Sequence, residues 1–241
     1  MKNSNNDGRV KMQERWFHKY MKVKPEKAVI KLRNEDGSFW KSIIIPTSLY
    51  PLNGKCEVFT CDNTEIVTSE EILSIFDRHE YNMGWCYQNT ERLSKDLLKN
   101  GYNAVTYAGW LFTSETDLPI HHCWTVLDGK YILDPSDFYS VLFNENNIKN
   151  FAETKDREDF VSVLASFMEA AKKEKHSTVC APVGKVSGNL VYVGCPCTPK
   201  QGREIYRNLM RQYPDHECDR TNGQGLNPTQ QLMLEAGLMK L

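Results

Sequence analysis

The sequence has no long apolar run. Its longest purely aliphatic stretch is Ile43-Ile44-Ile45, closed by Pro46, far short of the roughly 20 apolar residues of a membrane-spanning helix. Basic charge is not in surplus either: 30 Lys and Arg stand against 31 Asp and Glu, a net charge of −1. That balance argues against a general nucleic-acid or anionic-membrane binder. Residues 1–16 hold no apolar stretch that would serve as a signal peptide, so a cytoplasmic setting is expected. There is no internal repeat, and no Pro/Gly/Ser-rich linker divides the chain; only the polar first eight residues read as a disordered start.

What is present is ordinary globular material: 241 residues, 40% of them hydrophobic, enough for a sizeable core. A single α+β domain over 1–241 is expected, with an N-terminal hairpin at about 26–45, a core at about 66–150 and a C-terminal extension, mainly helical, at about 151–241. The hairpin turns at Asn34-Glu35-Asp36-Gly37. Thr68 and Glu71 make a capping box for a helix over 69–79, and a second helix runs from Cys86 to Asn100, stopping at Gly101. Residues 104–112, 120–127 and 130–134 alternate as strands; 156–175 is helical. A strand over 188–194 precedes Thr198-Pro199-Lys200-Gln201, an N-cap, first-turn proline and capping-box glutamine; Asn227-Pro228-Thr229-Gln230 repeats the device.

Eight cysteines occur, at 56, 61, 86, 123, 180, 195, 197 and 218. In a chain of this length without an export signal they read as reduced thiols rather than a disulfide frame. One of them stands in a pattern that carries chemistry. Between Gly84 and Ser136 come, in order, Cys86 at the start of a helix, His121-His122 on a strand, and Asp134 at the end of the next strand. A cysteine nucleophile reacts as the thiolate and needs a base nearby. A helix start supplies a positive dipole end and backbone N–H groups for a developing oxyanion. Gln88 and Asn89 are equally compatible with an amide donor there and with solvent-facing positions.

Strand alternation puts His122, Trp124 and Val126 on one face and His121, Cys123 and Thr125 on the other. A three-residue loop Leu127-Asp128-Gly129, with Gly129 in the left-handed position, sets His122 directly opposite Asp134, as expected for a carboxylate that orients an imidazole. A two-residue Asp128-Gly129 turn would instead bring Asp134 to the face of His121, which is therefore the alternative base.

This stretch resembles the transglutaminase-like branch of the papain-like cysteine enzymes. There a Gly-x-Cys opens a helix, a Gly starts a strand, and His-x-Trp leads through a hairpin to Asp-Pro. Here those elements are Gly84-Trp85-Cys86, Gly101, His122-Cys123-Trp124 and Asp134-Pro135, with 36 residues from Cys86 to His122 and 12 from there to Asp134. The resemblance covers about 53 residues, 84–136, and not the papain branch, whose histidine lies far downstream. It implies a papain/transglutaminase-like core, an antiparallel sheet packed on the nucleophile-bearing helix, and a Cys86–His122–Asp134 triad. The implied activity is thiol-dependent acyl transfer on a peptide, isopeptide or side-chain amide, hydrolytic as in a cysteine protease or deamidase. Amine transfer, and a catalytically silent binding module on the same fold, are the alternatives. The expected partner is a protein or peptide substrate, with no cofactor. Trp85, Trp110 and Trp124 are candidates for lining the substrate cleft, although aromatic residues on strands are commonly core.

A second cluster, Cys180, Cys195-Pro196-Cys197 and His216-Glu217-Cys218, has ligand types suited to zinc. Its spacing does not. The helix after Pro199 would carry His216 and Cys218 roughly 20 Å from Cys195 and Cys197, so no metal is expected. Cys56 and Cys61 flank an apparent strand and read as structural.

Overall fold

The structure is a computed structural model and describes residues 27–34, 36–46, 56–61, 69–81, 85–113, 120–136, 150, 153–173, 179–182 and 190–212. In chain order the elements are β1 (Lys27–Arg33), β2 (Phe39–Pro46), β3 (Glu57–Cys61), α1 (Glu70–Phe76), α2 (Cys86–Lys99), β4 (Ala104–Thr113), β5 (Ile120–Leu127), β6 (Tyr131–Asp134), α3 (Arg157–Lys173), β7 (Val179–Pro182), β8 (Leu190–Cys197) and α4 (Pro199–Gln212). The class is α+β. No helix among the described residues is long and apolar enough to cross a membrane.

Where a turn or cap is chemically marked, the backbone follows the sequence. β1 and β2 form the expected hairpin, with Gly37 at φ 78°. Helix α2 ends in a Schellman arrangement around Gly101 (φ 83°): Tyr102 N–H bonds the Leu97 carbonyl and Gly101 N–H the Leu98 carbonyl. At α4 the capping box is reciprocal, Gln201 N–H to Thr198 Oγ1 at 3.2 Å and Thr198 N–H to Gln201 Oε1 at 2.9 Å. Helix α1 departs from expectation. Ser69 is its N-cap residue, without a side-chain cap hydrogen bond, and it spans only Glu70–Phe76; Glu71 accepts a hydrogen bond from Tyr102 Oη. Thr68 and the expected helix after Asn227 lie outside the described residues.

Six strands form one antiparallel sheet in the order β3-β8-β4-β5-β6-β7. β8, from the supposed extension, lies between β3 and β4, and β7 closes the far edge. The reason is hydrophobic: Leu190, Val191, Tyr192 and Val193 are apolar on both faces and are buried on both, as befits an inner strand rather than an appendage.

One face of the sheet carries Ala108, Trp110, Phe112, Cys123, Val191 and Val193, covered by Tyr87 of α2, Ile205 of α4 and Leu32, Ile43 and Ile44 of the hairpin. The other face carries Phe59, Tyr107, Leu111, Trp124, Val126, Ile132, Leu190 and Tyr192. At the end of the sheet, Leu93 and Leu97 of α2 pack with Ile75, Ala104, Leu127 and Leu133. Where β4 meets β8, Gly109 pairs with Gly194. The strands approach so closely that a Cβ on Gly109 would stand 2.0 Å from the Val193 carbonyl oxygen, and one on Gly194 would stand 2.6 Å from Cη2 of Trp124.

Gly194→Ala is therefore expected to force the Trp124 ring out of place and to cost about 1–3 kcal/mol of stability. Gly109→Ala, which meets unyielding backbone, should cost at least as much. The midpoint of urea unfolding measures both; an unchanged midpoint would contradict the close approach.

Candidate active site

Cys86 is the first residue of α2, with Trp85 as N-cap. No side chain among the described residues caps this helix end, and its first turn holds no acidic residue. The positive end of the helix dipole is therefore not neutralised at the thiol. Cys86 is half-buried, and its Sγ lies 3.9 Å from the His121 carbonyl oxygen.

The helix is seated on β5 by a run of polar contacts. Thr90 Oγ1 donates to the Cys123 carbonyl at 2.7 Å, and Ser94 Oγ lies 2.6 Å from Thr125 Oγ1, with Thr106 Oγ1 donating to Ser94 Oγ at 3.0 Å. All four hydroxyl residues are buried. The last pair between β5 and β6 is Thr125↔Leu133. Cys86 and Thr90 thus meet β5 in the stretch beyond that pair, where β6 no longer runs alongside.

His122 and Asp134 are both fully buried, and His122 Nε2 lies 2.5 Å from Asp134 Oδ2. Two more donors fix the carboxylate: Tyr192 Oη to Oδ2 at 2.9 Å and Ser136 N–H to Oδ1 at 2.9 Å. Asn89 of α2 donates through Nδ2 to Ser136 Oγ at 2.8 Å. Helix α2 is thereby tied to the loop that holds the carboxylate. The Trp124 ring stacks on His122 at 6.2 Å and 14°.

Electrostatics favour a charged imidazole. Burial, the largest single influence on His122, pushes its pKa down; the charge and hydrogen bond of Asp134, followed by the hydrogen bond and charge of Cys86, more than offset it and push it up to about 10 from 6.5. Cys86 is thus among the groups that act on the imidazole. His122 rather than His121 faces Asp134. His121 points to the opposite face and packs its ring against Trp110 at 3.9 Å.

The hairpin reaches this arrangement differently from expectation. Asp128 (φ 52°) and Gly129 (φ 64°) are both left-handed, and Lys130 N–H bonds the Leu127 carbonyl, which is the two-residue turn. Yet Leu127 pairs with Tyr131, Val126 with Ile132 and Thr125 with Leu133. Lys130 is an extra residue between turn and ladder. It restores the parity that the two-residue turn would have inverted, but it shifts the register so that His122 is not directly opposite Asp134. The pair meets as diagonal neighbours on one face, within reach of long side chains.

Of the three tryptophans, Trp110 and Trp124 are 1% and 0% exposed. Trp110 packs on one face of the sheet and Trp124 on the other, both within the core. Trp85 alone of the three is half-buried beside Cys86. Cys180 lies on β7, separated from Cys195 on β8 by β4, β5 and β6. At about 4.8 Å per strand that is roughly 19 Å, so the two cannot share an ion. His216 and Cys218 lie outside the described residues. Tyr192 and Ser136 escaped the sequence reading, because a tyrosine on an apolar strand and a serine after Asp-Pro carry no signal of a shared carboxylate.

The raised pKa gives a test with a definite sign. His122 binds its proton more tightly folded than unfolded, so its contribution to stability is complete below about 6.5 and is lost as pH rises through about 10. A ¹³C-labelled His122 ring should titrate near 10, and in Asp134→Asn, where burial is no longer offset by the carboxylate, it should titrate below 6.5. A wild-type midpoint near 6.5 would rule out the ion pair. No known protein family, curated protein or solved structure matches the chain, so the reading of the site rests on its geometry.

Proposed function

We propose that this chain is a thiol-dependent acyl-transfer enzyme with a transglutaminase-like core, working hydrolytically on a peptide, isopeptide or side-chain amide bond. The observation that carries the reading is the buried His122, engaged by Asp134 through Nε2 and coupled to the half-buried Cys86 at an uncapped helix start. With Nε2 given to Asp134, Nδ1 serves the thiol. Asp134 keeps His122 poised to exchange a proton through Nδ1 with Cys86 and with the leaving group.

The Cys86 sulfur attacks the amide carbonyl carbon. Charge developing on the oxygen is received by backbone N–H groups of the first turn of α2, which have no acceptor within the helix. His122 Nδ1–H protonates the leaving nitrogen, the C–N bond breaks, and a thioester remains on Cys86. Water, deprotonated by His122, attacks the thioester, releasing the acid and restoring the thiol. Asp134 is a positioning group throughout, and Tyr192 and Ser136 hold it in turn. Replacing water by an amine in the second half would make the same residues a transferase. Hydrolysis is preferred because water is always available as acceptor.

The test is chemical and needs no known substrate. Iodoacetamide at neutral pH should label Cys86 first among the eight cysteines, and His122→Ala should slow that labelling by roughly 10²-fold or more. Asp134→Asn should lower the rate and move its pH profile, whereas His121→Ala should leave it near the parent. Equal labelling of Cys86 in parent and His122→Ala would overturn the reading.

A further inference from the structure

Away from His122 a second pair of reactive groups is assembled. Cys56 Sγ and Cys195 Sγ lie 3.4 Å apart. The register dictates this: Glu57 pairs with Gly194, so Cys56 and Cys195 are the next pair beyond the β3–β8 ladder. Residues so placed have Cα atoms about 4.5–5.5 Å apart, inside the range of about 4.4–6.8 Å that a disulfide spans. Their access differs, Cys195 being wholly buried and Cys56 half-buried. Their proton affinities differ too. The hydrogen bond from Cys195 holds the Cys56 thiol below the ordinary range, whereas that same bond, followed by burial, pushes Cys195 up. An accessible sulfur with thiolate character, backed by a buried thiol, matches an attacking cysteine and its resolving partner.

We propose that Cys56 and Cys195 form a reversible dithiol–disulfide site, closed by a hydroperoxide and reopened by a thiol reductant. The Cys56 sulfur attacks a peroxide oxygen; the S–O bond forms, the O–O bond breaks, and water or an alcohol leaves with a proton. The Cys195 sulfur then attacks the Cys56 sulfenic acid; the S–S bond forms, the S–O bond breaks, and a second water takes up the Cys195 proton. Two electrons pass from the sulfurs to the peroxide. Neighbouring thiols are poor competitors: burial raises Cys123 well above its usual value and pushes Cys197 up to about 12. The bond would staple β3, which among the described residues pairs only with β8, onto the strand that carries Tyr192.

The full chain, reduced and then exposed to a few-fold excess of hydrogen peroxide at neutral pH, is capped with N-ethylmaleimide and digested. The expected product is a linked peptide containing Cys56 and Cys195, two hydrogens lighter than its parts and lost on treatment with dithiothreitol. Cys56→Ser, at the half-buried position, should abolish the link while leaving the urea midpoint unchanged, and Cys195→Ala should strand Cys56 as sulfenic or sulfinic acid. Two results in the unsubstituted chain would overturn the proposal: both residues recovered capped as free thiols while another cysteine is oxidised, or Cys56 carried to sulfinic acid with Cys195 still a thiol.

Discussion

The arrangement depends most on how α2 is laid along β5. Positions 86, 90 and 94 of the helix stand four apart, and positions 121, 123 and 125 of the strand stand two apart. Four helical residues rise about 6 Å and two strand residues about 6.8 Å, so the two repeats stay in step for three rungs. Each rung joins a small polar side chain of the helix to β5: the Cys86 thiol near the His121 carbonyl, Thr90 on the Cys123 carbonyl, Ser94 on the Thr125 hydroxyl. Polar contacts in a buried seam are directional in a way that apolar packing is not, and an unmet one costs about 1–3 kcal/mol. They therefore define where along the strand the helix sits, and with it where the thiol lies relative to the next residue, His122.

The second constraint is the fixing of a buried charge. Asp134 is fully buried, and a carboxylate in such a place is tolerable only when its oxygens are met by donors. Three meet it, from three separate parts of the chain: His122 of β5, Tyr192 of β8 and the backbone of Ser136. Asn89 adds helix α2 to the same group through Ser136. The helix seam and the carboxylate cluster are thus two independent ties between α2 and the far side of the sheet. The proposed chemistry draws on both, since the seam places the sulfur and the cluster charges the imidazole.

The cysteines sort by the same geometry. Cys123, Cys195 and Cys197 occupy the sheet face under α2 and α4, where positions 123 and 195 both pair with Ala108, and a Cβ on Gly202 of α4 would come within 3.4 Å of Cys123 Sγ and 3.7 Å of Cys197 Sγ. Cys123 and Cys197 behave there as small hydrophobes in a helix–sheet interface. Cys86 and Cys56 differ in standing at element starts with partial exposure, Cys86 near the His121 carbonyl and Cys56 against the Cys195 sulfur.

Much was legible in the sequence because its signals are local. Gly101 ends α2 since the left-handed residue must be free of a Cβ clash; Thr198 and Gln201 open α4 by bonding each other's backbone. Strand alternation separated His122 from His121, the assumed three-residue loop chose between them, and parity survived even though that turn and its register did not. That shift shows the limit of local reading: Asp128-Gly129 has the chemistry of a two-residue turn and forms one, but whether Lys130 then enters the ladder is decided by which side chains of β6 must be buried. The placement of β8 between β3 and β4, the inward turn of Trp110 and Trp124, and the roles of Tyr192, Ser136 and Asn89 were decided only by the tertiary structure. Each depends on a contact between residues 47 to 139 positions apart, and the free energy of such a contact belongs to the packed pair rather than to either residue's neighbours in the chain.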